Sequence, residues 1–266
     1  MNLLEMLYGS AAGRVILKPL VSKGFSDISG KILDSAPSKV LIKSFAEKNG
    51  INLEDYILDD INSFNDFFRR PIRPELRPIE MDQEKLIAPC DGLLSVYRAD
   101  GDLVMPVKQS AYSLSSLLRN SELAQRFYGG YVYVFRLCVN HYHRYIYPIT
   151  CSKGSNVKIP GVYHTVRPVA LRKVPVFMEN AREYCLLESK GGAMIMMEVG
   201  AMLVGRIKNH HRGALDVTRG QEKGFFEYGG STVILVTEPG SFTPSFVTSE
   251  QGEEVPVKMG QVVGTR

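Results

Sequence analysis

Tryptophan is absent from this sequence, and its 13 tyrosines and 12 phenylalanines are scattered rather than alternating with Arg and Lys. Base stacking therefore has no visible platform. The chain carries 32 basic and 28 acidic residues, and the resulting net charge of +4 is too small to indicate nucleic acid as a partner. An anionic membrane surface is equally compatible with this charge. We expect no nucleic-acid partner.

Cysteine and long apolar runs are also scarce. The four cysteines form no C-x-x-C pair, which disfavours a zinc knuckle or redox dithiol and favours isolated buried thiols in a reducing cytosol. No stretch reaches the roughly 20 apolar residues that would cross a bilayer. Glu5 stands where a signal peptide would carry a basic residue. We therefore expect a cytoplasmic protein that associates peripherally with the cell membrane.

The N-terminal third of the sequence has helical patterns. Apolar residues of the first 16 positions recur on one helical face, opposite Glu5, Arg14 and Lys18. This amphipathic helix could dock on the core of the protein or on a membrane surface, and both interpretations stay open. A second helix is predicted over residues 38–48, ended by Asn49-Gly50, and a third, short one is capped by Ser63.

From residue 86 onward, runs of strand length alternate with turn residues. Strands are predicted over residues 86–88, 131–139, 193–199, 202–207 and 232–237, with one helix over residues 113–127. The fold class is therefore α+β, with N-terminal helices followed by a largely antiparallel β-sheet or barrel. We expect a single domain over residues 1–266, with a helical preface (1–85) and a β-rich core (86–266).

One segment, KGFFEYGGSTVILV (residues 223–236), contains residues that could carry out a self-cleavage reaction. Gly229 and Gly230 precede Ser231, and a glycine turn that enters a strand is the common interpretation of such spacing. A turn of this kind can also aim the serine hydroxyl at the uncovered carbonyl carbon of Gly230. An acyl shift to oxygen, elimination and hydrolysis would then leave a pyruvoyl group at residue 231. The products would be residues 1–230 and 231–266.

Several motifs follow the order and approximate spacing found in one known family. They are GGST (229–232), FNDFFRR (64–70), PCDG (89–92), NHYHR (140–144), MEVGAMLVGRI (197–207) and MGQVVGTR (259–266). Together they resemble the phosphatidylserine decarboxylase family. The resemblance implies a self-cleaving zymogen and a carboxy-lyase that converts phosphatidylserine to phosphatidylethanolamine and carbon dioxide. It also implies a pyruvoyl cofactor derived from Ser231 and a homodimer.

The resemblance further implies an Asp-His-Ser charge-relay triad for self-cleavage. By motif position the serine is Ser231 and the aspartate is Asp91. The family pattern D-Y-H-R-x-H places the histidine base where this sequence has Ile146, which cannot accept a proton. His143 keeps the position of the first histidine, which the family links to decarboxylation. An imidazole with its ordinary pKa gives and takes protons at neutral pH, so His143 is also the candidate general acid.

Three outcomes follow from the departure at Ile146. His143 serves both steps, another histidine substitutes for the missing base, or the chain does not process itself. On a strand, His141 and His143 would point to the same face. We select His143 as the functional histidine, with His141 or His164 as its helper.

Other interpretations remain open. His141, His143 and Asp91 could supply metal ligands, although this leaves the other motifs unexplained and we predict no metal. The substrate could be another amino-acid headgroup or a free amino acid. The chain could also be a non-processing protein that binds lipid in the same pocket. Arg69, Arg70 and Lys108 are candidate phosphate contacts, but solvated surface charge is the expected role of each.

Overall fold

A computed structural model describes residues 3–100, 103–107, 110–202, 206–229, 231–248 and 253–266. Nine α-helices occur in these ranges: α1 (Leu3–Gly9), α2 (Ala11–Leu20), α3 (Lys23–Leu33), α4 (Leu41–Asn49), α5 (Phe64–Phe68), α6 (Leu114–Leu118), α7 (Ser121–Gln125), α8 (Pro168–Leu171) and α9 (Val176–Glu179). Short 3₁₀ helices cover Ala36–Val40, Leu53–Asp55 and Pro74–Leu76.

The described part of the chain also contains 17 β-strands. They are β1 (Lys85–Ile87), β2 (Gly92–Arg98), β3 (Leu103–Val107), β4 (Ser110–Ser113), β5 (Tyr131–Leu137), β6 (Arg144–Ile146), β7 (Cys151–Lys153), β8 (Val157–Ile159), β9 (Arg182–Ser189), β10 (Gly192–Val199), β11 (Ile207–Asn209), β12 (Leu215–Val217), β13 (Glu222–Phe226), β14 (Ser231–Thr237), β15 (Thr243–Pro244), β16 (Val255–Val257) and β17 (Val262–Thr265). Helices come first and strands dominate afterwards, which confirms the α+β class.

The strands form one large antiparallel sheet and three small ones. The large sheet has the order β12-β7-β9-β10-β14-β5-β2-β16, with β8 also paired to β9. A second sheet has the order β1-β17-β15, a third has β11-β13-β6, and β3 pairs with β4. Strand β14 therefore lies inside the large sheet, between β10 and β5, and its pairing to β5 begins with Ser231 opposite Leu137.

Strand β14 is buried on both faces because two hydrophobic clusters cover the large sheet. Side chains alternate across a strand. Ile234 and Val236 accordingly join the cluster that contains Tyr8 and Leu17 of the N-terminal helices, whereas Val233 and Leu235 join the opposite cluster. A continuous apolar run is what such a two-sided position requires.

The N-terminal amphipathic segment folds as two helices rather than one. Ser10 separates α1 from α2, and its hydroxyl caps α2 by accepting a hydrogen bond from the Gly13 backbone N–H. Tyr8 is buried, and its hydroxyl accepts a hydrogen bond from the Thr165 backbone N–H. Val15 and Ile16 remain 67% and 54% exposed. The apolar face is therefore only partly docked on the core.

The other helix predictions have mixed outcomes. Ser63 caps α5 as expected, and Gly50 ends α4 with a left-handed φ of 63°. The single helix predicted over residues 113–127 is wrong, because Arg119 adopts a φ of 49° and separates α6 from α7. Of the strand predicted over residues 202–207, residues 203–205 lie outside the described ranges, and β11 begins at Ile207.

The scarce features of the sequence have simple structural outcomes. All four cysteines are free, and three are buried while Cys138 is partly exposed. Over the described ranges, no helix combines the length and apolar content needed to cross a bilayer. The same ranges contain no group of three or more His, Cys, Asp or Glu side chains that could hold a metal ion.

Candidate active site

Ser231 occupies a fully buried position at the start of β14. Gly229 precedes it by two residues and has a φ of 142°, a backbone conformation that favours glycine. Gly230 lies outside the described residues. The Ser231 hydroxyl oxygen, Oγ, lies 3.3 Å from Nδ1 of His143, and both side chains are shielded from water. The fold thus brings together two site residues that are 88 positions apart in the sequence.

The second nitrogen of the His143 ring fixes the position of its proton. Nε2 lies 3.0 Å from the backbone carbonyl oxygen of Cys138. A carbonyl oxygen can only accept a hydrogen bond, so Nε2 carries the hydrogen and Nδ1 presents its lone pair. The Ser231 hydroxyl then donates to Nδ1. This arrangement is suited to general-base activation of a serine.

Burial and, to a smaller extent, the positive charge of Arg70 together lower the pKa of His143 to about 3. The ring also packs against Phe68, with 4.1 Å between the ring centroids. At neutral pH the imidazole is therefore uncharged and able to accept a proton. This corrects the expectation of an ordinary imidazole pKa, because that expectation did not account for complete burial.

His141 reaches His143 through the backbone of Cys138. The Cys138 N–H donates to Nδ1 of His141 at 3.0 Å, while the Cys138 carbonyl accepts from His143. Burial lowers the pKa of His141, and the charge of Asp91 opposes that effect. One peptide segment therefore orients both rings. The role of Cys138 could not be predicted from the sequence, because its contacts are made by backbone atoms that every residue type has.

Asp91 is held by an arginine rather than by a histidine. Arg77 donates from Nε and Nη2 to the two carboxylate oxygens at 2.7 and 2.5 Å, and the Met259 N–H donates to Oδ1 at 2.9 Å. In the described part of the chain, no hydrogen bond joins Asp91 to His141 or His143. A bidentate pair of this kind has strong directional preference. No sequence motif identifies Arg77 as the partner of Asp91.

His164 and Ile146 lie apart from Ser231. Ile146 occupies the position where the family pattern has its histidine base. His164 contacts the Tyr8 hydroxyl at 3.1 Å through Nδ1 and Glu179 at 3.1 Å through Nε2. Ile146 is buried in β6, and its backbone N–H donates to the Pro89 carbonyl. Neither side chain joins the Ser231–His143 pair.

The three candidate phosphate contacts differ in environment. Arg69 forms an ion pair with Asp66 at 2.6 Å and remains partly exposed. Arg70 is completely buried, so the expected role as solvated surface charge is wrong for this residue. Lys108 lies outside the described residues.

The residues around position 231 fit a pyruvoyl group formed in place. The Ser231 hydroxyl is in contact with the neutral imidazole of His143, and formation of the group requires such a nucleophile with a base beside it. The neighbouring Thr232 Oγ1 is buried and has no hydrogen-bond partner among the described residues. A buried hydroxyl without a partner leaves bonding capacity beside the position where the group would stand.

The fold and site define an α+β protein with a serine–histidine pair buried at the start of an inner strand. Residues 64–265 match the family described as phosphatidylserine decarboxylase. A phosphatidylserine decarboxylase proenzyme of Clostridium novyi is 39% identical over 274 residues, covering 100% of this chain and 93% of that protein. A proenzyme of the same name from Ruminiclostridium cellulolyticum is 35% identical, covering 99% and 91%. The chain belongs to the phosphatidylserine decarboxylase family.

Proposed function

We propose that this protein removes carbon dioxide from the headgroup of phosphatidylserine, yielding phosphatidylethanolamine, after cleaving its own chain between Gly230 and Ser231. The names of the relatives supply the substrate and the precursor state. The observation in this chain that supports the proposal is the 3.3 Å contact between Ser231 Oγ and Nδ1 of His143. A neutral imidazole at this position can act as the base, although Ile146 replaces the histidine base of the family pattern.

Self-cleavage begins as the Ser231 hydroxyl gives its proton to His143 and Oγ attacks the carbonyl carbon of Gly230. The acyl group moves from nitrogen to Oγ, and His143 passes the proton to the departing nitrogen. Elimination removes the α-hydrogen of residue 231, breaks its Cβ–Oγ bond and releases residues 1–230 as a carboxylate. Water then displaces ammonia from the dehydroalanine, which leaves a pyruvoyl group on residues 231–266.

The pyruvoyl group supplies a carbonyl that acts as an electron sink for decarboxylation of an amino acid. Residue 231 holds the group covalently, and β5 and β10 hold the strand that bears it. His143 holds or moves a proton at Nδ1. Because the pKa of His143 is about 3 in the uncut chain, its protonated form requires added negative charge nearby.

Asp91 and His141 act as positioning residues in this scheme. His141 accepts a hydrogen bond from the Cys138 N–H, and the Cys138 carbonyl fixes the His143 tautomer. The Asp91 carboxylate anchors Arg77 and acts on His141 through its charge. The acidic member of the triad implied by the family therefore contributes indirectly here.

The proposed function includes peripheral attachment to an anionic membrane surface through α2, α3, the 3₁₀ helix Ala36–Val40 and the start of α4. These helices expose branched apolar side chains, and the largest exposed fractions belong to Val15, Ile16, Ile28, Ile32 and Val40. Exposed basic residues lie on the same segment, namely Arg14, Lys18, Lys31, Lys39 and Lys43. This combination favours an interface between headgroups and acyl chains.

Intact-mass spectrometry under denaturing conditions tests the proposal. We expect two masses from freshly purified protein, one for residues 1–230 and one for a chain that begins with a ketone-bearing residue 231. The Ser231→Ala variant should give one uncut mass and release no carbon dioxide from phosphatidylserine vesicles. A single uncut mass from the parent chain, persisting after incubation with anionic lipid, would rule out self-processing.

A further inference from the structure

Arg70 is a buried cation without a carboxylate partner. It follows α5 by two residues, and its side chain is 0% exposed. The guanidinium carbon lies 4.0 Å from the centroid of the Tyr56 ring and 4.6 Å from that of Phe67. Nη1 donates to the Phe67 carbonyl at 3.1 Å. Nε and Nη2 have no hydrogen-bond partner in the part of the chain that the structure describes.

This arrangement leaves positive charge in excess at the site. The nearby carboxylate of Asp91 is already occupied by both nitrogens of the Arg77 fork. Contact with aromatic faces stabilises a cation, but a buried charge also needs hydrogen bonds to its remaining protons. Two donors on one guanidinium without a hydrogen-bond partner among the described residues leave capacity to bind an anion.

Arg70 lies beside the reacting residues. Its charge acts on His143, whose pKa it lowers, and Asp91 acts on Arg70 in turn. The adjacent α5 residue Phe68 packs on the His143 ring. An anion bound by Arg70 would consequently stand close to His143 and would counter the effect of the guanidinium on that ring.

The substrate headgroup offers two anions, a carboxylate and a phosphodiester. The carboxylate loses its charge as carbon dioxide leaves, so a cation bound to it would stabilise the ground state more than the transition state. The phosphodiester keeps its charge throughout, and binding it positions the headgroup without opposing the chemical step. The guanidinium fork also matches the geometry of phosphate oxygens.

We propose that Arg70 binds the phosphodiester of the substrate headgroup through Nε and Nη2, an inference that rests on the proposed function. Arg70 is then the residue that distinguishes a phospholipid headgroup from a serine derivative without phosphate. Neutralisation of its charge on binding also makes protonation of His143 easier at the moment when the substrate is in place.

Steady-state kinetics with two soluble substrates tests this assignment. The substrates are a short-chain phosphatidylserine and an O-alkyl serine that lacks the phosphate. For Arg70→Gln we expect KM for the phosphatidylserine to rise at least about tenfold, with kcat changed by less than about threefold. With O-alkyl serine, KM should match the parent, because this substrate has no phosphate for Arg70 to bind. Arg70→Lys should recover part of the loss. Arg69→Gln, which removes the neighbouring arginine already paired to Asp66, serves as the matched control and should match the parent.

An unchanged KM for phosphatidylserine would overturn the assignment. An equal penalty on both substrates would also overturn it, since a phosphate contact cannot affect a substrate without phosphate.

A binding measurement covers the case in which Arg70→Gln fails to process itself. Calorimetry with glycerophosphoserine compares the uncut Ser231→Ala chain with the Ser231→Ala/Arg70→Gln chain. We expect binding to the second chain to be at least about tenfold weaker. Equal affinities, or no binding to either chain, would count against the subsite. This measurement needs no turnover, so it judges Arg70 even if the parent releases no carbon dioxide.

Discussion

At the scale of single residues, the chemistry depends on which nitrogen of His143 carries the proton. The Cys138 carbonyl holds the hydrogen on Nε2, so the lone pair of Nδ1 faces Ser231. The Cys138 N–H is itself held by His141. A histidine that stands two positions earlier on the chain thus contacts the residue whose carbonyl sets the tautomer of the base, without touching the serine.

The buried environment of His143 predicts an unusual pH profile for self-cleavage. Its folded-state pKa of about 3 lies below the ordinary value of 6.5, so the base stays neutral down to low pH. We expect the cleavage rate of freshly refolded protein to stay constant between pH 8 and about pH 5, and to fall as pH approaches the folded-state pKa. Intact-mass time courses at each pH provide the measurement.

The histidine variants give the control for this prediction. His143→Gln should slow cleavage by about 100-fold or more, the usual contribution of a positioned base, and His211→Gln at an exposed site should not. A rate that halves near pH 6.5 would instead indicate a solvent-exposed base.

Residue types and motifs in the sequence were enough to select Ser231 and His143, and the structure brings that pair together. The bidentate contact of Arg77 with Asp91 could not be predicted in the same way, because it depends on how residues 74–77 approach the start of β2. The burial of Arg70 could not be predicted either, because composition carries no information about which charged residues are buried. Each missed contact depends on three-dimensional packing rather than on residue type.

At the scale of elements, the N-terminal helices combine docking and exposure. Leu7 and Tyr8 of α1 and Leu17 of α2 are buried, which ties these helices to the core. Val15 and Ile16 of α2 face outward. The periodicity of the sequence predicted the apolar face correctly but could not show that Ser10 interrupts it and divides it between two surroundings.

This division provides a test of the proposed membrane attachment that leaves the protein folded. Val15→Ser/Ile16→Ser replaces exposed side chains, so the fold should persist while vesicle binding weakens by at least about tenfold. Sedimentation with phosphatidylserine-containing vesicles measures the bound fraction. Met81→Ser/Val157→Ser, which alters two exposed apolar residues outside the helices, is the matched control. Equal losses for both pairs would show that α2 has no special role.

At the scale of the whole molecule, the order of strands in the large sheet brings the site together. Strand β14 pairs with β10 on one side and β5 on the other, although it is the last long strand of the sequence. Alternation and turn residues predicted the strands, but long-range pairing is not encoded locally. Buried polar contacts add to this order: Lys223 of β13 donates to Glu198 of β10 at 2.7 Å, joining two sheets.

The position of β14 predicts that self-cleavage does not separate the two chains. Release of residues 231–266 would expose Val233, Ile234, Leu235 and Val236, all completely buried. These four side chains alone account for roughly 6 kcal/mol or more of hydrophobic stabilisation. Strands β16 and β17 add pairings to β2 and β1. We expect the cleaved protein to elute from a sizing column at the volume of the uncut Ser231→Ala chain, and to separate only in denaturant. Loss of the smaller chain under native conditions would mean that cleavage opens the sheet at its centre.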